Sequence, residues 1–261
     1  MTIEEEFNKG EQRIMEQVAA TLPNRSEERL ASRANFGMNG GVLQTEPLIA
    51  GKFSIFTVHE PSKLYYSVKR LLDIVLSALG IVFLLPVFLC IAACIKLDDG
   101  GSVLHYREII GKHGKRFYAL KFRTMIPDAD EYLVKHPELM RKFKQNMKLA
   151  QDPRITRMGR FLRKTSLDEL PQLFNVLVGQ MSLVGPRIIH PSELSRYGEY
   201  GQKRLSVKPG ITGLWQISGR QHISYDERVQ LDMQYIDTRS FIVDLIILVK
   251  TLKVFIVHTG A

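Results

Sequence analysis

The chain has 261 residues, of which 45% are hydrophobic, and these numbers suit one domain with a sizeable core plus a tail. Its two cysteines, Cys90 and Cys94, lie inside one apolar run, which excludes a disulfide framework and a paired-cysteine zinc motif. The net charge of +9 is unevenly distributed: residues 1–60 carry 6 Lys/Arg and 9 Asp/Glu, whereas residues 61–261 carry 30 Lys/Arg and 18 Asp/Glu. The basic residues 61–261 therefore predict an anionic partner, which could be nucleic acid, a phosphorylated small molecule or an anionic leaflet.

Residues 1–60 predict a poorly ordered or regulatory N-terminal extension. Glu4 to Ala20 has the composition of a short charged helix, and the polar, glycine-rich stretch that follows lacks periodicity. The sequence therefore predicts two parts, this extension and a membrane-associated domain that covers residues 61–261.

Ile74 to Ile95 form an uncharged run of 22 residues. As one helix this run would rise about 33 Å, which matches a hydrocarbon core about 30 Å thick. The run therefore predicts a helix that enters a membrane. A buried helix in a soluble core is the less favoured alternative.

Basic residues flank this run on both sides, with Lys69 and Arg70 before it and Lys96 after it. Basic flanks prefer the cytoplasmic side, and a single crossing cannot place both flanks there. Pro86 near the middle lacks a backbone donor and breaks helical hydrogen bonding. A re-entrant helix over about residues 69–96, broken at Pro86, is therefore favoured over a kinked full span.

Two runs rich in Val, Tyr, Phe and Ile predict a small β-hairpin. They cover residues 102–110 and 116–122, and the turn-like residues 111–115 separate them. Cations on alternate residues, Lys121 and Arg123, end the second run and would share one face.

Three later segments predict helices. Residues 129–148 indicate a charged helix, and Leu170 to Val178 indicate a short apolar helix closed by Gly179. Phe241 to Val257 is apolar but carries three charges, so an interfacial or buried amphipathic helix is favoured over a span. The expected fold class is α+β, mainly α: a monotopic membrane protein with a broken re-entrant helix, a β-hairpin and interfacial amphipathic helices.

The highest density of candidate catalytic and binding residues lies between residues 152 and 187. Four arginines recur there every three residues: Arg154, Arg157, Arg160 and Arg163. Asp168 and Glu169 follow just before a helix start. Cations attract a diphosphate, and a carboxylate can bind magnesium or attack phosphorus.

A structural alternative exists for the two acids. Ser166 with Glu169 matches a capping box, and from spacing alone capping is the favoured interpretation. Pro171 weakens it, because this proline fits better if the helix starts near Asp168. Two turn-forming stretches add candidates: Gly185-Pro186-Arg187 presents an arginine suited to phosphate, and a glycine-punctuated loop over residues 208–220 holds the single Trp.

Five motifs in this order resemble the bacterial sugar transferase family, the monotopic phosphoglycosyl transferases that start exopolysaccharide and other surface-glycan assembly. The motifs are KRLLDIVLSALGIVFLLP, KFRTM, SLDELPQLFNVLVGQMSLVGPR, VKPGITGLWQISGR and SYDERVQLDMQYI. The resemblance covers about residues 61–258 and favours a catalytic role for the two acids over capping.

The resemblance implies an enzyme of the bacterial inner membrane, active on its cytoplasmic face. It implies transfer of a hexose-1-phosphate, galactose or glucose, from a UDP-sugar to undecaprenyl phosphate with release of UMP. Asp168 matches the nucleophile that forms an aspartyl-phosphosugar, and Glu169 matches the partner carboxylate that holds Mg²⁺ with it. The implied phosphate-binding positions are Lys121, Arg163 and Arg187, to which we add Arg123 from its place beside Lys121.

Two departures from the family pattern stand out. Leu85 replaces the usual serine before Pro86, and Ile109 replaces a basic residue two positions before the hairpin-turn glycine, with Arg107 nearby. A membrane-tethered nucleic-acid binder and a structural scaffold are the alternatives of other classes. The chain lacks a basic–aromatic platform, so we expect no nucleic-acid partner; a bilayer and a homodimer are the expected assembly.

Overall fold

The computed structural model describes residues 61–146, 149, 151–218 and 223–257. The predictions for the extension over residues 1–60 lie outside the described residues, as do Gly219 and Arg220 at the end of the glycine-punctuated loop. The described part is mostly helical, as the sequence predicted, and it has two small sheets, of which the parallel one was not predicted.

The helices are α1 (Lys63–Asp99), α2 (Ala129–Lys135), α3 (Pro137–Asn146), α4 (Arg157–Thr165), α5 (Gln172–Leu177), α6 (Gly201–Arg204), α7 (Leu214–Ile217), α8 (Tyr225–Thr238) and α9 (Phe241–Val257). The strands are β1 (Leu104–Ile110), β2 (Arg116–Phe122), β3 (Ser182–Val184) and β4 (Gly210–Thr212). Short 3₁₀ segments cover Lys112–Gly114, Leu167–Glu169 and Pro191–Tyr200.

Helix α1 contains the uncharged run. The Ser62 hydroxyl caps its start by accepting from the Tyr65 N–H at 3.2 Å, and Gly100 ends it with a φ of 71°. Its 37 residues include Pro86 and are helical throughout. By length and composition it can cross a membrane, with a mean hydropathy of 2.9 over 18 residues, of which 11% are buried. A core helix of a soluble protein would be mostly covered, so this low burial favours the membrane interpretation.

Strands β1 and β2 pair antiparallel, from Leu104 opposite Phe122 to Ile110 opposite Arg116. Because side chains alternate, one face of the pair carries Ile109 and Ala119 at one end and Lys121 at the other. Ile109 and Ala119 are fully buried in the main apolar cluster with Val176, Met181 and Ile188. The core therefore fixes the face on which Lys121 lies.

The region predicted as one helix over residues 129–148 is described as far as residue 146, and there it forms two helices, α2 and α3, which meet at His136 and Pro137. The chain breaks there because proline has no N–H for the α-helical ladder. Helix α9 has the predicted bounds of Phe241 to Val257. Its Asp244 is buried and binds the Lys69 ammonium at 2.7 Å and the Tyr235 hydroxyl at 2.7 Å.

Strands β3 and β4 pair in parallel and bring two glycine-containing loops together. The Gly210 N–H donates to the Pro186 carbonyl at 2.8 Å. A side chain at Gly210 would begin 2.1 Å from the Gly185 nitrogen, so only glycine allows this approach of two backbones. The predicted glycine-punctuated loop thus holds the Gly-Pro-Arg turn in place.

A second apolar cluster joins α1 to the rest of the domain. Its buried members are Ile91, Ile95, Phe122 and Leu162. Leu167 and Leu170, which bracket the two acids, pack against it. The acidic turn therefore lies directly beside α1.

Candidate active site

Asp168 and Glu169 lie in a 3₁₀ turn and not in a capping box. Ser166 has a φ of 57° and ends α4, where its N–H donates to the Arg163 carbonyl, and its side chain makes no capping hydrogen bond. Helix α5 begins only after Pro171. The structure therefore removes the capping interpretation and leaves both carboxylates available for other contacts.

Asn175 on α5 fixes the acidic turn against strand β2. Its side-chain oxygen accepts from the Leu120 N–H at 2.9 Å, and its side-chain amide donates to the Tyr118 carbonyl at 2.8 Å. Asn175 is buried, so these bonds are shielded from water. This anchor places the acids next to Lys121, and no local pattern predicted it because the contact joins residues 55 positions apart.

Two cationic side chains, Lys121 and Arg187, contact the acids directly, and a third, Arg163, lies nearby. The Lys121 ammonium lies 2.6 Å from Oε1 of Glu169 and 3.9 Å from Oδ2 of Asp168. The Arg187 guanidinium donates to the same Oε1 at 3.2 Å. The Asp168, Glu169 and Lys121 side chains retain only 13%, 18% and 14% of their exposure, so charges interact there more strongly than in water.

The two neighbouring carboxylates have opposite pKa shifts. Burial raises the pKa of Asp168, and the Lys121 charge only partly opposes that rise. Burial also acts on Glu169, but Arg187 and Lys121 outweigh it and lower its pKa to about 2. Glu169 is therefore a fixed negative charge, while Asp168 is the more basic carboxylate.

Arg163 reaches the site from helix α4. The Arg163 Nε donates to the Thr124 hydroxyl at 2.8 Å, and the charge of Arg163 acts on Asp168. Helix α4 approaches this closely because Gly159 faces the backbone of Thr124: a side chain there would begin 2.0 Å from the Thr124 oxygen. Arg157, Arg160 and Arg163 are all exposed on this helix, but the bond to Thr124 and the effect on Asp168 set Arg163 apart within the arginine series that the sequence treated together.

Arg123 points away from this group of side chains. It is 8% exposed, and its guanidinium donates to both carboxylate oxygens of Asp99, to the Met125 carbonyl at 3.1 Å and to the Ser102 carbonyl at 2.5 Å. Asp99 ends α1. Arg123 therefore ties the long helix to β2, and a role in phosphate binding stays a prediction.

Trp215 lies behind Arg187 and does not face solvent, since it is 6% exposed. The guanidinium carbons of Arg187 and Arg228 lie 5.3 Å and 4.8 Å from its ring centroid, within cation–π range. Trp215 thus supports the Arg187 side chain.

The acid pair suits a Mg²⁺ ion that takes some of its ligands from the protein and the others from the substrate and water. Mg²⁺ commonly takes one or two protein carboxylates, and phosphate oxygens and water complete its coordination. Both ion pairs of Glu169 use Oε1, so neither uses Oε2. Among the described residues no group of three His, Cys, Asp or Glu side chains forms a self-sufficient metal site.

Exposed apolar side chains lie on and next to the two helices that flank the acidic turn, α4 and α5. They include Phe161 on α4, Phe174 on α5 and Val178, which are 52%, 41% and 68% exposed. The Phe174 ring meets Phe88 of α1 at 6.0 Å between centroids. An acid pair among cations, beside a long and largely uncovered apolar helix, is typical of enzymes that act on phosphate groups at a membrane surface.

Comparison with known proteins gives the family. The chain belongs to the bacterial sugar transferases, whose family model matches residues 64–258. That range contains every predicted site residue.

Some curated relatives are about as long as this chain, and others are much longer. An uncharacterized sugar transferase of Haemophilus influenzae is 48% identical over 74% of this chain and 42% of its own length. The exopolysaccharide production protein ExoY of Rhizobium meliloti is 42% identical over 74% of this chain and 87% of its own. The undecaprenyl-phosphate galactose phosphotransferase of Salmonella typhimurium is 44% identical over 74% of this chain and 41% of its own. The chain thus spans less than half the length of the first and third.

Proposed function

We propose that this protein transfers a hexose-1-phosphate, galactose or glucose, from a UDP-sugar to undecaprenyl phosphate and releases UMP. The reaction would be the first step of exopolysaccharide or surface-glycan assembly, on the cytoplasmic face of the bacterial inner membrane. The name of the Salmonella relative supports undecaprenyl phosphate as the acceptor and galactose as the sugar, and the name of the Rhizobium relative supports exopolysaccharide production as the pathway. The single observation that carries the proposal is the Lys121 ammonium between the Asp168 and Glu169 carboxylates, beside α1.

Asp168 is the nucleophile in this proposal. A carboxylate oxygen of Asp168 attacks the β-phosphorus of the UDP-sugar, the bond from that phosphorus to the bridging oxygen breaks, and UMP leaves. A phosphate oxygen of undecaprenyl phosphate then attacks the same phosphorus and restores the Asp168 carboxylate. The raised pKa of Asp168 supports this assignment, because a more basic carboxylate is the better nucleophile.

The surrounding cations let one anion attack another. Lys121, Arg163 and Arg187 would hold the diphosphate and stabilise the charge that develops on the leaving UMP. Asp168 and Glu169 would hold Mg²⁺, which when bound supplies further neutralisation of the diphosphate charge. Glu169 keeps its negative charge across the physiological range because its pKa is lowered to about 2.

We also propose that α1 enters only one leaflet. Lys69 near its start binds Asp244, and Asp99 at its end binds Arg123, so both ends belong to the same domain. A helix that crosses the bilayer would place its ends on opposite sides, which these contacts oppose. The exposed apolar residues between the two ends would lie in lipid. The break that the sequence predicts at Pro86 stays a prediction, because α1 is helical through that residue. The homodimer expected from the sequence stays a prediction.

A UMP-release assay tests the proposed activity. Full-length protein in detergent or nanodiscs is given undecaprenyl phosphate, Mg²⁺ and each member of a UDP-sugar panel. Wild type should release UMP from UDP-galactose or UDP-glucose, and Asp168→Asn should lower the rate by at least about a thousandfold. Asp130→Asn is the matched control, because that aspartate is fully exposed on α2.

The covalent step has its own readout. When acceptor is withheld, intact-protein mass spectrometry should find sugar phosphate bound to the wild-type chain and none on Asp168→Asn. Full turnover by Asp168→Asn, or no release of UMP from any UDP-sugar by wild type, would contradict the proposal. Salt-sensitive binding of DNA or RNA without UMP release would favour the nucleic-acid alternative.

A further inference from the structure

The motif SYDERVQLDMQYI covers residues 224–236 and lies outside the acid pair. One of its residues is nevertheless among the most deeply buried charged residues of the described domain. Asp232 on α8 is 1% exposed, and its Oδ2 accepts from the Tyr197 hydroxyl at 2.7 Å. Burial raises the pKa of Asp232 to about 6, and the Arg204 charge and the Tyr197 hydrogen bond oppose that rise. Asp232 is therefore largely ionised at neutral pH.

Arg204 on α6 is the buried cation of the same region and is fully buried. Its Nη2 donates to the Arg187 carbonyl at 2.6 Å and approaches the Pro186 carbonyl at 3.5 Å. The Arg204 charge and the Arg187 N–H both lower the pKa of Asp232, so this carboxylate is coupled electrostatically to the same turn, although its Oδ1 has no hydrogen-bond partner among the described residues. Arg204 thus binds the Arg187 carbonyl directly, and the buried Asp232 carboxylate acts on Arg204 and Arg187 through its charge.

The Arg187 side chain leaves this region toward the acids. Its Nη2 reaches Glu169 at 3.2 Å, and its guanidinium lies over Trp215. A shift of the Arg187 backbone would therefore move a cation of the acid pair. Burying charged side chains costs free energy, and proteins in which apolar residues replace a buried ion pair are often as stable. A requirement for one exact position of the Arg187 loop therefore explains the buried Asp232 and Arg204 better than a gain in stability does.

We propose that Asp232 and Arg204 are positioning residues, which hold the backbone of Arg187 so that its guanidinium stays on Glu169. This inference rests on the proposed transferase activity for its catalytic readout. It gives the SYDERVQLDMQYI motif a physical role at a distance from the reacting atoms.

The first experiment compares two aspartates of the same helix. Asp232→Asn keeps the side-chain shape and removes the charge. Asp237→Asn is the matched control, because Asp237 is partly exposed and pairs with Lys203 at 2.7 Å. In the UMP-release assay, Asp232→Asn should lower kcat/KM for the UDP-sugar by about tenfold or more, while Asp237→Asn should stay within about twofold of wild type.

A double-mutant cycle separates positioning from a general loss of structure. If Asp232 acts through Arg187, then Asp232→Asn should cost less than about twofold in an Arg187→Gln background. Losses that multiply in the double variant would overturn the proposal. Tyr197→Phe removes the 2.7 Å hydrogen bond to Asp232 and should show the same dependence on Arg187, which provides a second variant if Asp232→Asn folds poorly.

Hydrogen exchange gives a readout that does not depend on turnover. The peptide over residues 183–190 should exchange faster in Asp232→Asn than in wild type or Asp237→Asn, and unchanged exchange would overturn the positioning role. Absence of UMP release by wild type would instead overturn the proposed activity, while the exchange measurement would still decide whether Asp232 holds the loop.

Discussion

The Lys121 ammonium contacts Oε1 of Glu169 at 2.6 Å and lies 3.9 Å from Oδ2 of Asp168. One cation therefore serves two adjacent carboxylates, but much more closely on one than on the other. Glu169 has the lower pKa because Arg187 and the close Lys121 outweigh its burial, whereas at Asp168 burial outweighs the more distant Lys121 charge and the Glu169 charge adds to the rise. Two acids of similar chemistry thus differ in basicity, which suits the proposed roles of Glu169 as a charge holder and Asp168 as a nucleophile.

The first prediction concerns the pH dependence of UMP release. Asp168 must be deprotonated to attack, and burial raises its pKa, so kcat/KM should fall with decreasing pH at a higher pH than an ordinary aspartate would give. Arg163 stabilises the Asp168 carboxylate, so Arg163→Gln should move this acid limb to higher pH still. Arg160→Gln, one turn earlier on α4 and exposed, is the control. An unmoved or lowered acid limb in Arg163→Gln would contradict the assignment.

The second prediction concerns the approach of α4 to Thr124. Gly159→Ala would place a methyl group 2.0 Å from the Thr124 oxygen, so the helix must shift. We expect a loss of about 1–3 kcal/mol in the free energy of unfolding, together with lower activity because Arg163 moves with the helix. Gly201→Ala is the control, since its added carbon would meet nothing closer than 3.7 Å. Denaturant unfolding and UMP release measure the two effects, and equal stability of both variants would refute the packing argument.

The third prediction concerns the Asn175 anchor. Asn175→Ala leaves the Leu120 N–H and the Tyr118 carbonyl without their side-chain partner, which should cost about 1–3 kcal/mol of stability for each group that stays buried and unpaired. UMP release should fall as well, because α5 holds the acidic turn beside β2. Thr238→Ala removes an exposed side-chain hydrogen bond of 2.8 Å and should change the free energy of unfolding by less than about 0.5 kcal/mol. Wild-type stability in Asn175→Ala would show that the anchor is dispensable.

The fourth prediction decides the role of Arg123. Because its donors contact Asp99 and two carbonyls, Arg123→Gln should lower the free energy of unfolding by about 3 kcal/mol and leave KM for the UDP-sugar within about threefold. Asp99→Asn should lower stability by a similar amount, and the two losses should be strongly non-additive. A large rise in KM without loss of stability would instead support the phosphate-binding role that the sequence suggested.

Local signals in the sequence sufficed for most elements. The length and apolarity of residues 74–95 predicted α1, and the pattern of α9 predicted its bounds, because both depend on a continuous run of side chains. The single helix predicted over residues 129–148 was wrong, since Pro137 divides it. The family motifs also identified Asp168, Glu169, Lys121, Arg163 and Arg187 as a group before any distance between them was known.

The sequence by itself determined which chemical groups this protein holds: a long apolar helix, an adjacent acid pair and an excess of cations. Only the tertiary structure decided which cation serves which acid. Lys121 and Arg123 are two residues apart and were predicted to act together, yet one binds Glu169 and the other binds Asp99. The physical reason is that side-chain pairing depends on packing between distant segments, through contacts such as those of Asn175, Gly159 and Arg204, and no local pattern records those contacts.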